Sequence, residues 1–271
     1  MTIHESRDTN GVITLTIDNA PVNALNIDDT YFLAERLDAQ KRDPEARVVI
    51  ITAQGRGFCA GVDIKEMQRL DGNAGIISVN DACYELFRAV YECAVPVIVA
   101  VNDFCLGTGI GIAGNADIVV AAMGSVFGLP EVDNGALGAL THLRRLVPQQ
   151  RARHMLYTCE PATAEELLSY GTVLDVVEPD QLLARADEIA TTIASKNPTT
   201  IRAAKRSANG IDGVDVRNSY RYEQGFTFEL NLAGEGDRAR GGGDVRAQRR
   251  RRQGEKAEVW RARRLRCKTC L

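Results

Sequence analysis

The sequence predicts a layered α/β fold with a mostly parallel sheet. Three short runs of β-branched and small apolar residues, at 48–52, 95–101 and 118–121, have the length and composition of buried strands. Segments with apolar residues at helical spacing lie between and after these runs. Strands that alternate with helices are typical of parallel sheets covered by helices. This periodicity does not distinguish a doubly wound sheet from other parallel arrangements.

The first third of the chain alternates between predicted strands and helices. Residues 11–18 alternate between apolar and polar side chains, which is typical of a half-buried strand. Asp28 or Asp29 can cap the helix that follows. The strand at 48–52 leads into a glycine-bearing turn, after which apolar residues recur at helical spacing from Ile64.

The remaining two thirds contain two more strands and then mostly helices. Pro96 opens the apolar strand that ends at Val101, at a strand position where a missing N–H group is tolerated. Another strand follows at 118–121, and the pattern beyond it is mostly helical. We divide the chain into a core at 1–195, a C-terminal helical region at 196–236 and a tail at 237–271.

The composition is that of a globular protein without membrane segments. The chain has 271 residues, of which 45% are hydrophobic, and no apolar stretch approaches the ~18 residues that a membrane-spanning helix needs. The polar N-terminus lacks the apolar segment of a signal peptide. Seven cysteines without framework spacing indicate reduced thiols and a cytoplasmic location. Cys267 and Cys270 have the spacing of half a zinc site, but a second half is missing and no metal is expected.

The C-terminal tail differs in charge from the rest of the chain. Residues 237–271 contain 13 Lys and Arg against 4 Asp and Glu, a balance of +9, whereas residues 1–236 have a balance of −12. The tail has no apolar period, so disorder is expected. It is interpreted as an inert extension, a nucleic-acid-binding arm or an out-of-frame translation of a GC-rich gene end. Its Arg/Gly/Ala composition and abrupt onset favour the last interpretation, so nucleic acid is not the expected partner.

Two turns at strand ends form the candidate functional site. Residues 57–67 follow the strand at 48–52, and residues 102–111 follow the strand that ends at Val101. Backbone N–H groups in such turns lack partners in the following helix and can face an oxygen that gains negative charge. Either turn alone is typical of an ordinary connection between a strand and a helix. Together they can present two N–H donors to one carbonyl oxygen.

Three segments within and after these turns carry a family resemblance: 59–65 (CAGVDIK), 107–109 (GTG) and 127–131 (FGLPE). With these segments in order, the chain resembles the crotonase (enoyl-CoA hydratase/isomerase) superfamily from Gly11 to Gly234. The resemblance implies the crotonase fold, an α/β (ClpP-like) spiral of ββα turns with a C-terminal helical region. It also implies an acyl-CoA substrate, no cofactor beyond the coenzyme A of that substrate, and a homotrimer or a dimer of trimers.

The resemblance assigns the two N–H donors of an oxyanion hole. The matching groups are the backbone N–H of Val62 and the backbone N–H of Thr108. The family usually has glycine where this chain has Thr108, which keeps the N–H group but adds a β-branched side chain. Such a donor contributes about 3 kcal/mol to the stabilisation of a developing oxyanion.

The catalytic carboxylates depart from the pattern of the family's hydratases, which use two glutamates. The position of the first is Gly111, and the second matches Glu131. One carboxylate can still shuttle a proton or activate a water. His142 and, less directly, Asp133 are candidates to assist Glu131. As a lone histidine, His142 is equally open to a structural role.

The resemblance also implies which residues contact the coenzyme A and the acyl group. A segment after the first strand lines the coenzyme A groove in the family, and cations near the first turn can attract the phosphates. Alternatively, the segment is a plain turn and the cations are solvated surface charges. The candidates for coenzyme A binding are Asn23, Ala24, Leu25, Arg56, Cys59, Ala60, Asp63, Lys65 and Arg69. The candidates for the acyl pocket are Phe104, Gln224, Phe226 and Phe228.

Further segments resemble a narrower branch of the family, steroid-degrading hydrolases that lack the first glutamate. These segments are 55–69, 87–96, 135–143 and 223–234. The branch implies hydrolytic opening of a carbocyclic ring in a bicyclic steroid-derived acyl-CoA, in which water adds to a ring ketone and the departing carbanion is stabilised through the thioester. The alternatives are an enoyl-CoA hydratase or isomerase of fatty-acid β-oxidation and, from another class, an RNA-binding or non-catalytic acyl-CoA-binding homologue.

Overall fold

Two β-sheets and the helices that cover them make up the residues that this computed structural model describes, namely 2–70, 73–213 and 215–232. The strands are β1 (Ile3–Arg7), β2 (Val12–Ile17), β3 (Val48–Ala53), β4 (Val97–Val101), β5 (Phe104–Leu106), β6 (Ile118–Ala122), β7 (Val126–Gly128), β8 (Ala162–Thr163) and β9 (Asp175–Val177). The helices are α1 (Ile27–Ala39), α2 (Ile64–Arg69), α3 (Ala74–Tyr91), α4 (Thr108–Ala113), α5 (Leu140–Leu143), α6 (Gln149–Thr158), α7 (Ala164–Ser169), α8 (Leu182–Ala194), α9 (Pro198–Gly210) and α10 (Val216–Leu232). Short 3₁₀ turns lie at Val132–Asn134 and Pro179–Gln181.

The larger sheet places the two candidate turns at one edge. Its strand order is β1-β2-β3-β4-β6-β9; the β1–β2 pair is antiparallel and the other pairs are parallel. β3 and β4 are direct neighbours, with Val49 opposite Val97. Because neighbouring parallel strands end at the same edge of a sheet, the segments that follow β3 and β4 emerge side by side.

A smaller sheet, β5-β7-β8, continues from this edge. The turn after β3 pairs with it through a parallel bridge between Cys59 and Cys105, and the Leu106 N–H donates to the Cys59 carbonyl at 2.8 Å. The sequence did not predict these strands, because segments of two or three residues are too short to show a period. The bridge fixes the first turn against the segment that leads into the second.

β3 and β4 are buried on both faces. Val49 and Val99 belong to the main core under α1 and α3, whereas Ile50 and Ile98 pack with Ala186 of α8 on the opposite face. Burial on both faces explains why these strands are uninterrupted apolar runs rather than alternating ones. The layered α/β class predicted from the sequence is therefore confirmed.

The N-terminal segment has a structure that the sequence did not predict, and the C-terminal tail is not among the described residues. Residues 3–7 form an edge strand that the polar sequence did not predict, and Ile3 is its one buried residue. The predicted tail at 237–271 lies outside the described residues, and the boundaries at 195 and 236 stay predictions. In the described part of the chain, no helix is both long and apolar enough to cross a membrane.

Candidate active site

The two turns meet through a pair of glycines. A Cβ placed on Gly107 would lie 3.3 Å from the Gly61 Cα, and a Cβ placed on Gly61 would lie 3.9 Å from the Thr108 nitrogen. Gly61 has φ +105° and Gly107 has φ +56°, a region that side-chain-bearing residues rarely adopt. Glycine at both positions therefore permits both the turn conformations and their close approach.

The Val62 N–H group faces away from its neighbouring segment. Leu25 and Val62 form a parallel bridge, in which the Leu25 N–H donates to the Gly61 carbonyl at 2.9 Å and the Asp63 N–H donates to the Leu25 carbonyl at 2.8 Å. In such a bridge the residue opposite, Val62, directs its own N–H and C=O groups to the other side. Asp63 then caps α2, because its carboxylate accepts from the Lys65 and Glu66 N–H groups.

Thr108 is the first residue of α4, so its N–H group has no acceptor within the helix. The preceding Gly107 N–H donates to the Gly128 carbonyl at 3.2 Å, which fixes the approach to the helix. Among the described residues, neither the Thr108 N–H nor the Val62 N–H donates to a backbone or side-chain acceptor. Both residues line the same cavity. The arrangement is that of two N–H donors available to one ligand oxygen.

The cavity beside these donors has a volume of about 340 Å³ and is lined mainly by apolar side chains. Its walls come from the first turn and α2, from α3, from the second turn, from the segment around Glu131 and from α10. The lining residues are Ala60, Gly61, Val62, Ile64, Met67, Gln68, Ile76, Val79, Asn80, Cys83, Phe87, Gly107, Thr108, Pro130, Glu131, Asn134, Ala136, Leu137, Gly138, Ala139, Tyr220 and Thr227.

Glu131 is a carboxylic acid in this cavity. The residue as a whole is half-buried, but its Oε2 is shielded from solvent and has no hydrogen-bond partner among the described residues. A Cβ on Gly107 would lie 2.6 Å from the Glu131 Oε1, and a Cβ on Gly138 would lie 3.2 Å from it, so both glycines make room for the carboxyl group. Burial raises the pKa of Glu131 to about 8. A hydrogen bond from its own backbone N–H lowers this pKa, but by less than burial raises it.

Phe87 occupies the space beside Gly111, the position of the missing glutamate. A Cβ placed on Gly111 would lie 2.0 Å from the Phe87 Cζ. A carboxylate at position 111 would therefore require the ring to move. Thr108 lies near the same wall, with its Oγ1 3.9 Å from the Cys83 Sγ.

His142 is fully buried and does not line the cavity. Its Nδ1 accepts a hydrogen bond from Asn115 Nδ2 at 2.8 Å, which assigns the proton to Nε2. The ring lies against Phe87 and Tyr220, with centroid distances of 4.6 and 4.8 Å. Burial, followed by the charge of Arg145, lowers the pKa of His142 to about 3, so the imidazole is neutral.

The remaining catalytic candidate and the candidate cations lie on the surface. Asp133 is exposed and is not among the residues that line the cavity. Arg56 is exposed in the turn after β3, and Lys65 and Arg69 are exposed on α2. Lys65 and Arg69 thus belong to the same helix as Met67, which lines the cavity.

Of the other coenzyme A candidates, Asn23 holds the first turn in place. The Asn23 side chain donates to the Gln54 carbonyl at 2.8 Å and to the Gly57 carbonyl at 2.7 Å. Cys59 is buried, and desolvation raises the pKa of its thiol to about 12, so the thiol stays protonated. Ala60 lines the cavity, whereas the half-buried Ala24 does not.

None of the four acyl-pocket candidates lines the cavity. Gln224 is buried and donates from Nε2 to the Asn80 carbonyl at 2.7 Å. Phe226 is 40% exposed, Phe228 is half-buried and Phe104 packs over the first turn.

Instead, α10 closes the cavity with Tyr220 and Thr227. The Glu223 carboxylate accepts hydrogen bonds from the Leu140 and Thr141 N–H groups at 2.7 and 2.9 Å, at the start of α5. These contacts tie α10 to the segment that carries the catalytic candidates.

Sequence reasoning missed the residues that α3 and α10 contribute to the cavity. They recur at spacings of three, four and seven along their helices, which the sequence displays. An apolar stripe of this kind is typical of any core face, so spacing alone does not distinguish a cavity wall from the core. The missed residues are Ile76, Val79, Asn80, Cys83, Phe87, Tyr220 and Thr227.

The fold and the site define a class of enzyme in which two backbone donors and one carboxylic acid face an apolar cavity. The family profile described as enoyl-CoA hydratase/isomerase matches residues 7–223. The chain belongs to this family, the crotonases. A solved enoyl-CoA hydratase/isomerase from Pseudoalteromonas atlantica T6c superposes with a TM-score of 0.78 at 28% identity, covering 88% of this chain and 95% of that one. The crotonase fold expected from the sequence is thereby confirmed.

Two relatives share more of the sequence. A Rhodococcus jostii protein named (7aS)-7a-methyl-1,5-dioxo-2,3,5,6,7,7a-hexahydro-1H-indene-carboxyl-CoA hydrolase is 52% identical over 240 residues, which covers 89% of this chain and 93% of the relative. A Mycobacterium tuberculosis protein of the same name is 52% identical over 230 residues, with coverage of 85% and 93%. These relatives confirm the resemblance to the narrower branch of hydrolases within the family.

Proposed function

We propose that this protein is a crotonase-family acyl-CoA hydrolase that opens a carbocyclic ring of a bicyclic, steroid-derived acyl-CoA. The substrate class follows the name shared by the two relatives that are 52% identical over most of the chain. The observation that carries the chemistry is a single carboxyl group, Glu131, in the same cavity as the Val62 and Thr108 N–H groups.

In the proposed first step, Glu131 activates water. The ionised carboxylate accepts a proton from a water molecule, and the water oxygen forms a bond to the carbon of the ring ketone. With a pKa of about 8, Glu131 is mostly protonated in the free enzyme at neutral pH, but it is a stronger base than an ordinary carboxylate. The mainly apolar lining of the cavity suits the hydrocarbon part of a bicyclic acyl group.

In the second step, the ring bond beside the hydrated ketone breaks. The ketone of the relatives' substrate at position 1 is adjacent to the methyl-bearing carbon 7a, so the bond between these two atoms is the one to cleave. The electron pair moves through the remaining ring double bond toward the thioester carbonyl, whose oxygen takes hydrogen bonds from the Val62 and Thr108 N–H groups. The proton held by Glu131 returns to the carbon skeleton. The product is a ring-opened carboxylic acid that still carries coenzyme A and contains one additional water.

A hydratase is the runner-up, since the solved relative from Pseudoalteromonas atlantica is named enoyl-CoA hydratase/isomerase. A hydratase that uses two carboxylates needs a glutamate at position 111, and the Phe87 ring fills that space. The cavity therefore favours chemistry with one carboxylate.

The remaining proposals concern the coenzyme A contacts, the cellular location and the oligomeric state. Coenzyme A is expected to lie along the first turn, with its phosphates near the exposed cations Arg56, Lys65 and Arg69. The cytoplasm is the proposed location, supported by the buried free thiols of Cys59, Cys83, Cys93 and Cys105. We propose a homotrimer or a dimer of trimers; sedimentation of the full-length protein as a monomer would refute this.

Removal of residues 237–271 is expected to leave kcat/KM for ring opening unchanged. A salt-sensitive loss of RNA binding after this removal would instead support the RNA-binding function.

Mass spectrometry tests the function directly. The bicyclic CoA thioester is incubated with purified full-length protein, and the acyl-CoA is expected to gain the mass of one water while retaining coenzyme A. Release of free coenzyme A would indicate thioester hydrolysis. Rapid hydration of crotonyl-CoA without change to the bicyclic thioester would establish the hydratase alternative.

Neutral His142 is expected to make stability depend on pH in the acidic range. Its pKa of about 3 in the folded state is below the ordinary 6.5, so the unfolded chain binds the proton more tightly. The associated stability is fully present above pH 6.5 and is lost as the pH falls toward 3. In urea unfolding, His142→Gln is expected to lose less stability than the wild type between pH 7 and 4, by on the order of 1–3 kcal/mol.

The exposed His154 provides the matched control for this measurement. His154→Gln is expected to follow the wild-type pH dependence. If His142→Gln also follows it, then burial does not lower the pKa of His142, and His142 is not held neutral in the folded protein.

A further inference from the structure

The proposed ring opening requires charge to be stabilised on two different oxygens. The Val62 and Thr108 N–H groups serve the thioester oxygen. The ring ketone oxygen gains negative charge earlier, when water adds to its carbon, and it lies elsewhere on the bicyclic acyl group. A second donor in the cavity is therefore needed, because an unpaired charge in an apolar site is costly.

Tyr220 has the position and the rigidity for this task. It lines the cavity from α10 and is 6% exposed. Its ring packs against Phe87 and His142, with centroid distances of 5.2 and 4.8 Å, which restrict its movement. Burial, with smaller effects of charges that include Cys83 and Glu131, holds the pKa of Tyr220 well above 10, so the hydroxyl keeps its proton. Tyr220 and the proposed base, Glu131, line the same cavity.

Three other polar side chains of the cavity already donate to protein acceptors, whereas Gln68 is exposed on α2 and Thr108 belongs to the donor pair at the thioester oxygen. Asn80 donates to the Ile76 carbonyl at 2.8 Å, Thr227 to the Leu137 carbonyl at 3.1 Å and Asn134 to the Pro130 carbonyl at 2.9 Å.

The Tyr220 hydroxyl differs from these groups. Among the described residues, it donates to no protein acceptor at hydrogen-bond distance, so its proton is available to a ligand in the cavity that Tyr220 lines. Gln224, one turn further along α10, is held by its 2.7 Å hydrogen bond to the Asn80 carbonyl.

We infer that Tyr220 is a further catalytic residue, whose hydroxyl donates a hydrogen bond to the ring ketone oxygen during the addition of water. This inference rests on the proposed ring-opening function. As the water oxygen bonds to the ketone carbon and its proton passes to Glu131, the ketone oxygen becomes an alkoxide held by the Tyr220 O–H. When the carbonyl re-forms, the ring carbon–carbon bond breaks and its electron pair moves toward the thioester, while Tyr220 keeps its proton.

The test compares two tyrosines on the same helix. Tyr220→Phe keeps the ring packing and removes the hydroxyl, and Tyr222→Phe makes the same change at a position that is 73% exposed. Tyr220→Phe is expected to lower kcat for ring opening by about 10²-fold with an unchanged thermal midpoint, whereas Tyr222→Phe retains full activity. Equal activity of the Tyr220→Phe variant and the wild type would overturn the inference. A wild type that adds no water to the bicyclic thioester would refute the proposed function itself, and the inference with it.

A binding measurement separates a bond to the ketone from a structural role. Affinities of the bicyclic thioester and of an analogue with a methylene in place of the position-1 ketone are measured in a Glu131→Gln background, with and without Tyr220→Phe. Loss of the hydroxyl is expected to weaken binding of the ketone compound about five-fold more than binding of the methylene analogue. Equal weakening of both compounds would assign Tyr220 to packing alone and overturn the inference.

Discussion

Replacement of Glu131 by glutamine is expected to lower kcat for ring opening by about 10²–10⁴-fold, because glutamine cannot accept a proton from water. The substitution preserves the size of the side chain, so the cavity and substrate binding should be retained. The control is Glu178→Gln, which changes an exposed glutamate outside the cavity and should have no effect. Steady-state kinetics of both variants decide the point, and wild-type turnover by Glu131→Gln would exclude Glu131 as the base.

The pH dependence of the wild type provides a second measurement of the same group. Since the base acts in its ionised form, kcat/KM is expected to rise with pH and to level off above an apparent pKa of about 8.

The raised pKa of Glu131 also affects the stability of the folded protein. Its contribution to stability is fully present below pH 4.5, the ordinary value, and is lost as the pH rises through about 8. As the pH rises through about 8, Glu131→Gln should therefore lose less stability than the wild type.

Replacement of Thr108 by proline is expected to lower kcat by about 10²–10³-fold, because proline lacks the N–H group that the thioester oxyanion requires. Thr108 is the first residue of α4, where proline is well tolerated. The preceding Gly107 has ψ −112°, far from the helical value that a following proline disfavours. The variant should therefore fold.

Thr108→Val is the matched control for the proline variant. It keeps the N–H group and the branched shape of threonine, so it should lose only a small part of the activity. Steady-state kinetics and circular dichroism of both variants are compared. A folded Thr108→Pro variant with near-wild-type kcat would show that the Thr108 N–H does not bind the oxyanion.

The sequence by itself determined the class of the fold and the family, and it predicted Glu131 as the carboxyl group of the site. The apolar runs that became β3 and β4 are long enough to be recognised, because burial on both faces of a sheet imposes a local pattern. The glycines of the two turns carry a local signature, since their backbone conformations need glycine. Glu131 was identified from the short motif at residues 127–131 (FGLPE). Each of these signals is contained in a few consecutive residues.

Tertiary structure alone decided the walls of the cavity. Phe87 fills the space beside Gly111, and Tyr220 closes the same cavity as Glu131, although each pair is far apart in sequence. The tertiary structure also placed His142 against the Phe87 and Tyr220 rings, outside the cavity. Helical spacing shows which side chains share a face of a helix, but it carries no information about the element that this face meets. The contact depends on how α3, α4, α5 and α10 pack together, and that arrangement exists only in the folded chain.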